Sequence, residues 1–343
     1  MELVIPLTIV CLLILFFLDE RLYILWKIWT QRPKAVPVGE LSSRVVWEEG
    51  PSFPLSRRSV FNPSIHFDKV SNRWLMISRF TRGRRVGQCL LQYTIEDDLI
   101  DIDGLEHRAS MLLQIFDMGF NLIREIPVYV RTFGGSNDCL RWQGEDPRFF
   151  TNEIGELQVQ ATLHEPNGKI RLAHGPLRTT SDGRVLWNVS RVIKSSENQK
   201  NWGALPDGRR FLTNVFPEWR VASLDSAGYQ TTLMSLDTSG IDRLTGLRCT
   251  SGCKQFTKST LLTCLHSVHP YRTYLCEIDS RTLKPLRISP PLEFCEGLGY
   301  IEFPSGLEVL GEDVFLGVGI NDIKLKVIKL KAYLVGELMC YEI

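Results

Sequence analysis

The chain has 343 residues, 44% of them hydrophobic, which is enough to bury a large core in one or two domains. Its 40 basic residues are balanced by 39 acidic ones, so it lacks the strong positive field that gathers nucleic acid. We therefore expect no nucleic acid among its partners. Nine cysteines are scattered without a pair of CxxC motifs, and we predict no metal site and either buried free thiols or about one or two disulfides.

The amino terminus starts with an apolar run over residues 3–18, which the charged residues 19–21 end. Aromatic residues that suit a membrane interface follow at Tyr23, Trp26 and Trp29. The run predicts a single N-terminal membrane-anchor helix that contacts the membrane through residues 3–18, with residues 1–38 as anchor and stem. A cleaved signal peptide is the alternative, but no basic segment precedes the run and no small-residue cleavage site follows it.

The orientation of this anchor stays open. Basic residues follow the run and favour a body on the cytosolic side, namely Arg21, Lys27, Arg32 and Lys34. The Asn188-Val189-Ser190 sequence is a glycosylation acceptor and favours the lumen of an endomembrane compartment. The prediction is therefore a single-pass membrane localisation without a fixed orientation.

The body, residues 39–343, carries short apolar or alternating runs separated by Gly, Asn, Asp or Pro, a pattern typical of β-strands. Such runs cover residues 74–78, 88–93, 157–161, 170–173, 261–264 and 314–318. Outside the anchor, helical periodicity extends at most over a short stretch near residues 111–116. We therefore predict an all-β body.

The strands repeat as units, each with a polar opening, a hairpin turn and an outgoing strand. The units open with Asn62-Pro63-Ser64, Glu145-Asp146-Pro147, Lys200-Asn201-Trp202, Cys253-Lys254-Gln255 and Glu302-Phe303. The last four recur at intervals of roughly fifty residues, which is the spacing of propeller blades. The pattern predicts a five-bladed β-propeller, with residues 45–47 and a carboxy-terminal strand over residues 335–343 helping to close or cover the ring. A β-sandwich is the alternative, but it gives no reason for charged residues at the openings.

The second opening carries the densest chemistry. Glu145 and Asp146 are adjacent carboxylates, and Pro147 keeps the residue before it out of the right-handed α region. In a propeller the first strand of each blade lines a central channel, so the polar openings would face one another across one funnel. We therefore expect Asn62, Asp146 and Lys200 to share a site.

Four motifs in this order resemble the β-mannoside phosphorylase family (glycoside hydrolase family 130) and its mannosyltransferase relatives. They are Asn62-Pro63-Ser64-Ile65 with Arg79, Gly144-Glu145-Asp146-Pro147-Arg148, Gln199-Lys200-Asn201-Trp202 and Gly319-Ile320-Asn321-Asp322. The resemblance implies a five-bladed propeller that acts on β-mannoside-like linkages with inversion, by glycosyl transfer, phosphorolysis or hydrolysis. It implies a carbohydrate substrate and no cofactor, with inorganic phosphate, a sugar phosphate or a nucleotide sugar as co-substrate.

The resemblance places the general acid on Asp146, and we expect Glu145 beside it to raise its proton affinity by like-charge repulsion. An anionic co-substrate would need cations, for which the candidates are Arg148, Arg171, Lys200 and His266. For Arg171 and His266, an ordinary structural role is an equally good expectation. Sugar hydroxyls and a stacking face would be bound by Asn62, Arg79, Asn201, Trp202 and Asp322.

One residue departs from the family pattern. Glu218, in Phe216-Pro217-Glu218-Trp219-Arg220, stands where such enzymes have a histidine. A glutamate there would repel phosphate, which weakens phosphorolysis and leaves open hydrolysis with Glu218 as the base, transfer from a sugar donor, or loss of activity. The alternative function is a non-catalytic propeller that binds glycan or protein.

Overall fold

The computed structural model describes the backbone of residues 36–37, 44–49, 58–86, 89–93, 99–102, 105–131, 143–164, 170–194, 200–268, 271–294, 301–321 and 324–343. All of these belong to one compact unit, Val36–Ile343. The anchor predicted over residues 3–18 lies outside the described residues. Within them, no helix is both long enough and apolar enough to cross a membrane. The predicted single-pass membrane localisation therefore has no support in the described residues.

The described chain is nearly all β, as the sequence predicts. Its first half contains β1 (Val36–Pro37), β2 (Arg44–Glu49), β3 (Arg58–Asp68), β4 (Arg73–Val86), β5 (Cys89–Tyr93), β6 (Leu99–Ile102), β7 (Leu105–Phe116), β8 (Leu122–Arg131), β9 (Gln143–Thr151), β10 (Leu157–His164), β11 (Ile170–Thr179), β12 (Val185–Asn188) and β13 (Arg191–Val192). The second half contains β14 (Gly203–Ala204), β15 (Arg210–Asn214), β16 (Glu218–Leu224), β17 (Gln230–Asp237), β18 (Leu247–Cys249), β19 (Lys254–Gln255), β20 (Thr260–Val268), β21 (Tyr271–Asp279), β22 (Pro285–Ile288), β23 (Leu292–Glu293), β24 (Glu302–Leu310), β25 (Asp313–Ile320), β26 (Lys324–Lys331) and β27 (Tyr341–Glu342). A short 3₁₀ helix covers Asp242–Leu244, and helix α1 covers Ala332–Leu338.

Antiparallel pairing groups most of these strands into runs that follow chain order. The first run is β3-β4-β7-β8, and the second is β9-β10-β11, which β12 joins to β8 within one sheet. The third run is β14-β15-β16-β17, and the fourth is β20-β21-β22, with the short β18 and β19 both paired along β20. The fifth run is β24-β25-β26-β2. The polar openings lie within β3, β9 and β24, directly before β14, and at β19, so each run carries one at or beside its first strand.

The two ends of the described unit join different runs. Strand β2, which contains residues 45–47, pairs with β26 from Arg44 opposite Lys329 to Glu49 opposite Leu325, so an early segment completes the fifth run. The carboxy-terminal strand predicted over residues 335–343 is wrong for most of its length. Helix α1 forms instead, because Val335 and Met339, four positions apart, both enter the core cluster beside the fifth run. Only β27 is strand, and it pairs with β22 of the fourth run.

Aromatic side chains pack the first run against the fifth. The ring centroid of Trp74 lies 5.1 Å from that of Phe67, 4.8 Å from that of Phe120 and 4.5 Å from that of Phe315. Trp74 is 2% exposed and Phe315 is 5% exposed, so this contact excludes water. Because Phe315 belongs to β25, the cluster links the start of the folded body to its end.

Five cysteines whose side chains the structure describes are free thiols. Cys249, Cys253, Cys264 and Cys276 are buried in the fourth run or beside it, and Cys340 is exposed. Burial raises the pKa of the Cys249 thiol to about 11 and that of Cys264 to about 12, so both remain protonated at neutral pH. They act as small apolar side chains in the core.

We expect Phe315→Ala to lower the free energy of unfolding by about 3 to 5 kcal/mol, because it empties the contact between the first and fifth runs. Leu233→Ala, at a side chain that is 52% exposed, should change it by less than about 0.5 kcal/mol. Chemical denaturation of the full-length protein measures both. Equal effects of the two substitutions would contradict the packing described here.

Candidate active site

The first strands of three runs are interrupted by a bulge at a proline. The pairing register shifts between Phe61 and Ser64 in β3, opposite residues 145–148 in β9, and between Phe303 and Gly306 in β24. These interruptions contain Pro63, Pro147 and Pro304. Proline has no N–H to give to a strand ladder, and a bulge accommodates it. The bulges therefore redirect the side chains beside the prolines.

Three polar openings hold a residue in the left-handed region of backbone conformation. The φ angle is 54° at Asn62, 52° at Asp146 and 59° at Asn201. Asn and Asp tolerate this region better than other side chains do, and Pro147 already excludes the right-handed α conformation for Asp146. Non-glycine residues held in this way concentrate at functional sites. The three residues are therefore candidates for one site.

Asp146 is positioned by a side chain of the first run. Asn62 Nδ2 donates a hydrogen bond of 2.7 Å to Asp146 Oδ1. Asn62 is 5% exposed, and its backbone packs directly against Gly319 of β25, where a Cβ would lie 2.7 Å from Asn62 N. No hydrogen bond reaches the second oxygen, Oδ2, from the residues in the described ranges, and the Asp146 side chain is 13% exposed. Oδ2 is therefore the oxygen that a bound molecule can meet.

Glu145 links two cations beside Asp146. Arg79 Nη1 donates to Glu145 Oε1, and Lys200 Nζ lies 3.2 Å from Glu145 Oε2. The same Arg79 nitrogen is 3.9 Å from Asp146 Oδ1, and its guanidinium lies over the ring of Phe61 at 5.1 Å. Arg79 and Lys200 thus compensate the negative charge of Glu145. The repulsion between Glu145 and Asp146 that the sequence led us to expect would require an uncompensated charge on Glu145.

Arg148 is buried next to Asp146, with 2% of its surface exposed. Its Nε donates to the Thr250 carbonyl, its Nη1 donates to the Asp146 carbonyl at 3.1 Å, and its Nη2 donates to Asn201 Oδ1 at 3.2 Å. Burial lowers the pKa of the guanidinium, and the nearby charge of Asp146 opposes that shift. The sequence suggested Arg148 as an anion ligand, but its donors are engaged within the protein.

His266 and Trp202 are also buried, each 2% exposed. His266 Nδ1 lies 3.0 Å from Thr250 Oγ1, and burial followed by the charge of Arg148 lowers the pKa of the imidazole to about 3. A neutral ring cannot serve as a cation for phosphate at physiological pH. Trp202 packs in a core cluster with Phe211, so its ring is not an open platform for a sugar.

The remaining predicted residues lie in different places. Arg171 is opposite Leu163, which pairs with Gly144, so it reaches the same end of the second run two strands away. Glu218 starts β16, the third strand of its run, and bonds to Arg220 and Ser235. Hydrogen bonds from Ser235 and Arg220 lower the pKa of Glu218, and its hydrogen bonds within the described residues go to these two side chains and not to Asp146. Asp322 lies outside the described residues.

The site also uses residues that sequence reasoning missed. Thr250 supplies a carbonyl to Arg148 and a hydroxyl to His266, and Gly319 gives Asn62 its space. The sequence could have indicated the role of Gly319, because Gly317 and Gly319 interrupt an otherwise apolar strand, and glycine within a strand often marks a close approach of another backbone. No sequence pattern pointed to Thr250, because its bond to Arg148 uses a backbone carbonyl that every residue has. Across the described ranges, no group of three or more His, Cys, Asp or Glu side chains is placed to hold a metal ion.

No protein-family model and no curated protein match this chain. It is similar in structure to a β-1,2-mannobiose phosphorylase from Listeria innocua, with a TM-score of 0.54 and 11% identity over 84% of this chain and 96% of that one. For a glycosyl hydrolase from Bacteroides ovatus the TM-score is 0.52 and the sequence identity is 14%, over 79% of this chain and 84% of that one. A third similar structure comes from the GH130 family of mannoside phosphorylases, described as containing hydrolases that target β-1,2 mannosidic linkages in Candida mannan. Its TM-score is 0.51 and its sequence identity is 11%, over 83% of this chain and 94% of that one. At these identities the similarity defines the fold alone.

Gly319→Ala should destabilise the protein by about 1 to 3 kcal/mol, because the added methyl group collides with the backbone of Asn62. Gly240→Ala is the matched control, since a Cβ there would meet no atom within 4 Å. We expect the control to be neutral or slightly stabilising. Thermal and chemical unfolding measure the difference, and a Gly319→Ala protein as stable as the control would contradict the close approach of β3 and β25.

Two buried histidines should make the protein sensitive to mild acid. Burial lowers the pKa of both His266 and His174 to about 3, against an ordinary value of 6.5. The unfolded chain therefore binds protons that the folded chain does not, so stability is present above pH 6.5 and is lost as the pH falls towards 3. Between pH 7 and pH 5 we expect a loss of about 2 kcal/mol for each histidine.

The test compares urea denaturation at these two pH values for the parent protein and for His266→Asn. The substitution should reduce the loss by about 2 kcal/mol, whatever it does to stability at pH 7. An unchanged pH dependence would show that His266 is not buried as a neutral ring.

Proposed function

We propose that this protein is a glycan-active enzyme that cleaves or forms β-mannoside-like linkages, with Asp146 as its general acid. The observation that carries the proposal is the geometry of Asp146. Its backbone is held at a φ of 52°, Asn62 bonds one carboxylate oxygen, and the other oxygen has no partner among the described residues. A general acid needs a fixed carboxyl group with one oxygen open to the leaving group.

We further propose that the five antiparallel runs are the blades of a five-bladed β-propeller. Contacts between the first strands of successive runs support it. Phe149 N donates to Ser64 Oγ at 2.9 Å, and Ser305 Oγ donates to the Pro63 carbonyl at 3.0 Å, so β9 and β24 both lie beside β3. A ring of blades brings first strands together in this way. The similar solved structures are glycosidases and a glycoside phosphorylase, which agrees with both proposals.

In the proposed mechanism, Asp146 Oδ2 donates a proton to the glycosidic oxygen while a nucleophile approaches the opposite face of the sugar. Asn62 orients the carboxyl group by occupying Oδ1, and Glu145 holds Arg79 and Lys200 at the edge of the sugar site. Glu218 has no part in this mechanism as a base, because its two oxygens bond Arg220 and Ser235. The nucleophile is then a phosphate oxygen, a water or an acceptor hydroxyl that enters with the substrate.

A binding protein without turnover is the second candidate, and one observation favours it. Glu145 pairs with both Arg79 and Lys200, so these two cations are compensated before any ligand binds. Such a site suits neutral sugar hydroxyls, which hydrogen-bond to paired side chains as well as to free ones. The two candidates differ in whether a new glycosidic bond or a free sugar is produced.

Asp146→Asn tests the enzyme. It keeps the shape and most of the hydrogen bonding but removes the transferable proton, so we expect turnover to fall by about 10²- to 10⁴-fold. The full-length protein is incubated with mannose 1-phosphate, a nucleotide-mannose and β-mannoside acceptors, and glycan products are separated and quantified. Asp182→Asn, in an exposed turn after β11, is the matched control and should keep full activity.

Unfolding of Asp146→Asn is measured alongside, because the turnover comparison requires a folded variant. Full turnover by folded Asp146→Asn would refute the assignment of the acid. Sugar binding by the parent protein without any product would favour the second candidate.

A further inference from the structure

Arg248 is a cation that neither the motifs nor the proposed mechanism use. It is the exposed middle residue of β18, between the buried Leu247 and Cys249. Its guanidinium forms no ion pair or hydrogen bond with the residues that the structure describes. Arg248 is directly opposite His266 in the pairing of β18 with β20, so the two side chains lie on one face of the sheet.

The position of β18 brings Arg248 to the end of the molecule that carries Asp146. A Cβ on Gly203 would lie 2.6 Å from Cys249 Sγ, and Cys253 N donates to the Ala204 carbonyl at 2.7 Å. Residues 249–253 therefore run beside β14 in the same direction, and the residues just before both segments share one end. Before β14 stand Lys200 and Asn201, and before Cys249 stands Arg248.

A second contact gives the same placement. Arg148 donates to the carbonyl of Thr250 and to that of Asp146, so these two residues flank one guanidinium. Arg248 lies two residues before Thr250, and the Asp146 side chain, bonded to Arg148 through its backbone carbonyl, is 13% exposed. Arg248 is thus at the rim of the same site, on the side of the fourth run.

The other described cations at this end already have partners. Glu145 binds Arg79 and Lys200, Arg148 is engaged by backbone and amide oxygens, and Arg272 lies 3.7 Å from Glu293 Oε1. Arg171 also has a partner. An anion entering the site would have to displace Glu145 to reach Arg79 or Lys200. Arg248 offers the planar guanidinium donors of an arginine without breaking an ion pair within the described residues.

We propose that Arg248 binds the phosphate group of a substrate, either inorganic phosphate or a glycosyl phosphate, at the rim of the Asp146 site. The placement of this phosphate beside a sugar rests on the proposed function, whereas the binding of an anion by Arg248 does not. A phosphate held on the side of the fourth run lies across the site from Asn62, which supports Asp146 from the side of the first run. Arg248 is then a specificity residue that decides whether the site takes a charged or a neutral co-substrate.

The experiment measures binding by the full-length protein of inorganic phosphate, mannose 1-phosphate and mannose, using titration calorimetry. Arg248→Met should weaken both phosphate compounds by about 10- to 100-fold, since it removes charged hydrogen bonds, and should leave mannose unchanged. Arg248→Lys should recover part of the loss, because it restores the charge without the fork. Lys200→Met should weaken phosphate less than Arg248→Met does. Arg281→Met, at an exposed arginine beyond the opposite end of β21, is the control and should bind as the parent does.

Loss of phosphate binding in Arg248→Met alone supports the site, and it does so even if no variant makes a glycan product. Binding of mannose 1-phosphate without inorganic phosphate identifies the glycosyl phosphate as the ligand. Parent protein that binds neither phosphate compound, or Arg248→Met that binds them as tightly as the parent, overturns the inference. Neither of these results touches the role of Asp146, which Asp146→Asn tests by turnover.

Discussion

The buried guanidinium of Arg148 is the interaction on which the site depends. Burying an ion costs several kcal/mol unless its donors are satisfied, and arginine cannot escape that cost by losing its proton. Its donors reach the Thr250 carbonyl, the Asp146 carbonyl and Asn201 Oδ1, which belong to three different runs. Any shift of one run against the others would leave a buried charge without a partner. The group therefore fixes the spacing of the elements that carry the polar openings.

This support explains how strained residues persist at the site. A left-handed φ at a non-glycine residue costs of the order of 1 kcal/mol and needs surroundings that enforce it. Asp146 and Asn201 both have such angles and both bond to Arg148, and Asn62 is enclosed against Gly319. A carboxylate held in this way loses little freedom when a substrate binds, which is the property that a proton donor needs.

Charge pairing decides which chemistry the site favours. Glu145 draws Arg79 and Lys200 together and compensates their charges, beside the open Oδ2 of Asp146, the proposed acid. Burial makes His266 neutral and removes it as a cation. Arg248, opposite that histidine on the neighbouring strand, forms no ion pair with the residues that the structure describes. In the function proposed above, the paired side chains bind sugar hydroxyls and Arg248 binds the anion.

The sequence by itself determined the strands and the polar residues that open the runs, because alternation and proline and turn chemistry are encoded locally. The grouping of Asn62, Asp146 and Lys200 was expected only through the predicted propeller. Only the tertiary structure decided that Trp202 and His266 are buried, that Glu218 is on a third strand and that Arg248 reaches the rim. The burial of a side chain and the neighbours of a strand depend on pairing between distant segments, which no local pattern records. The helix over Ala332–Leu338 has the same cause, since the packing of Val335 against the fifth run, rather than any local pattern, selects it.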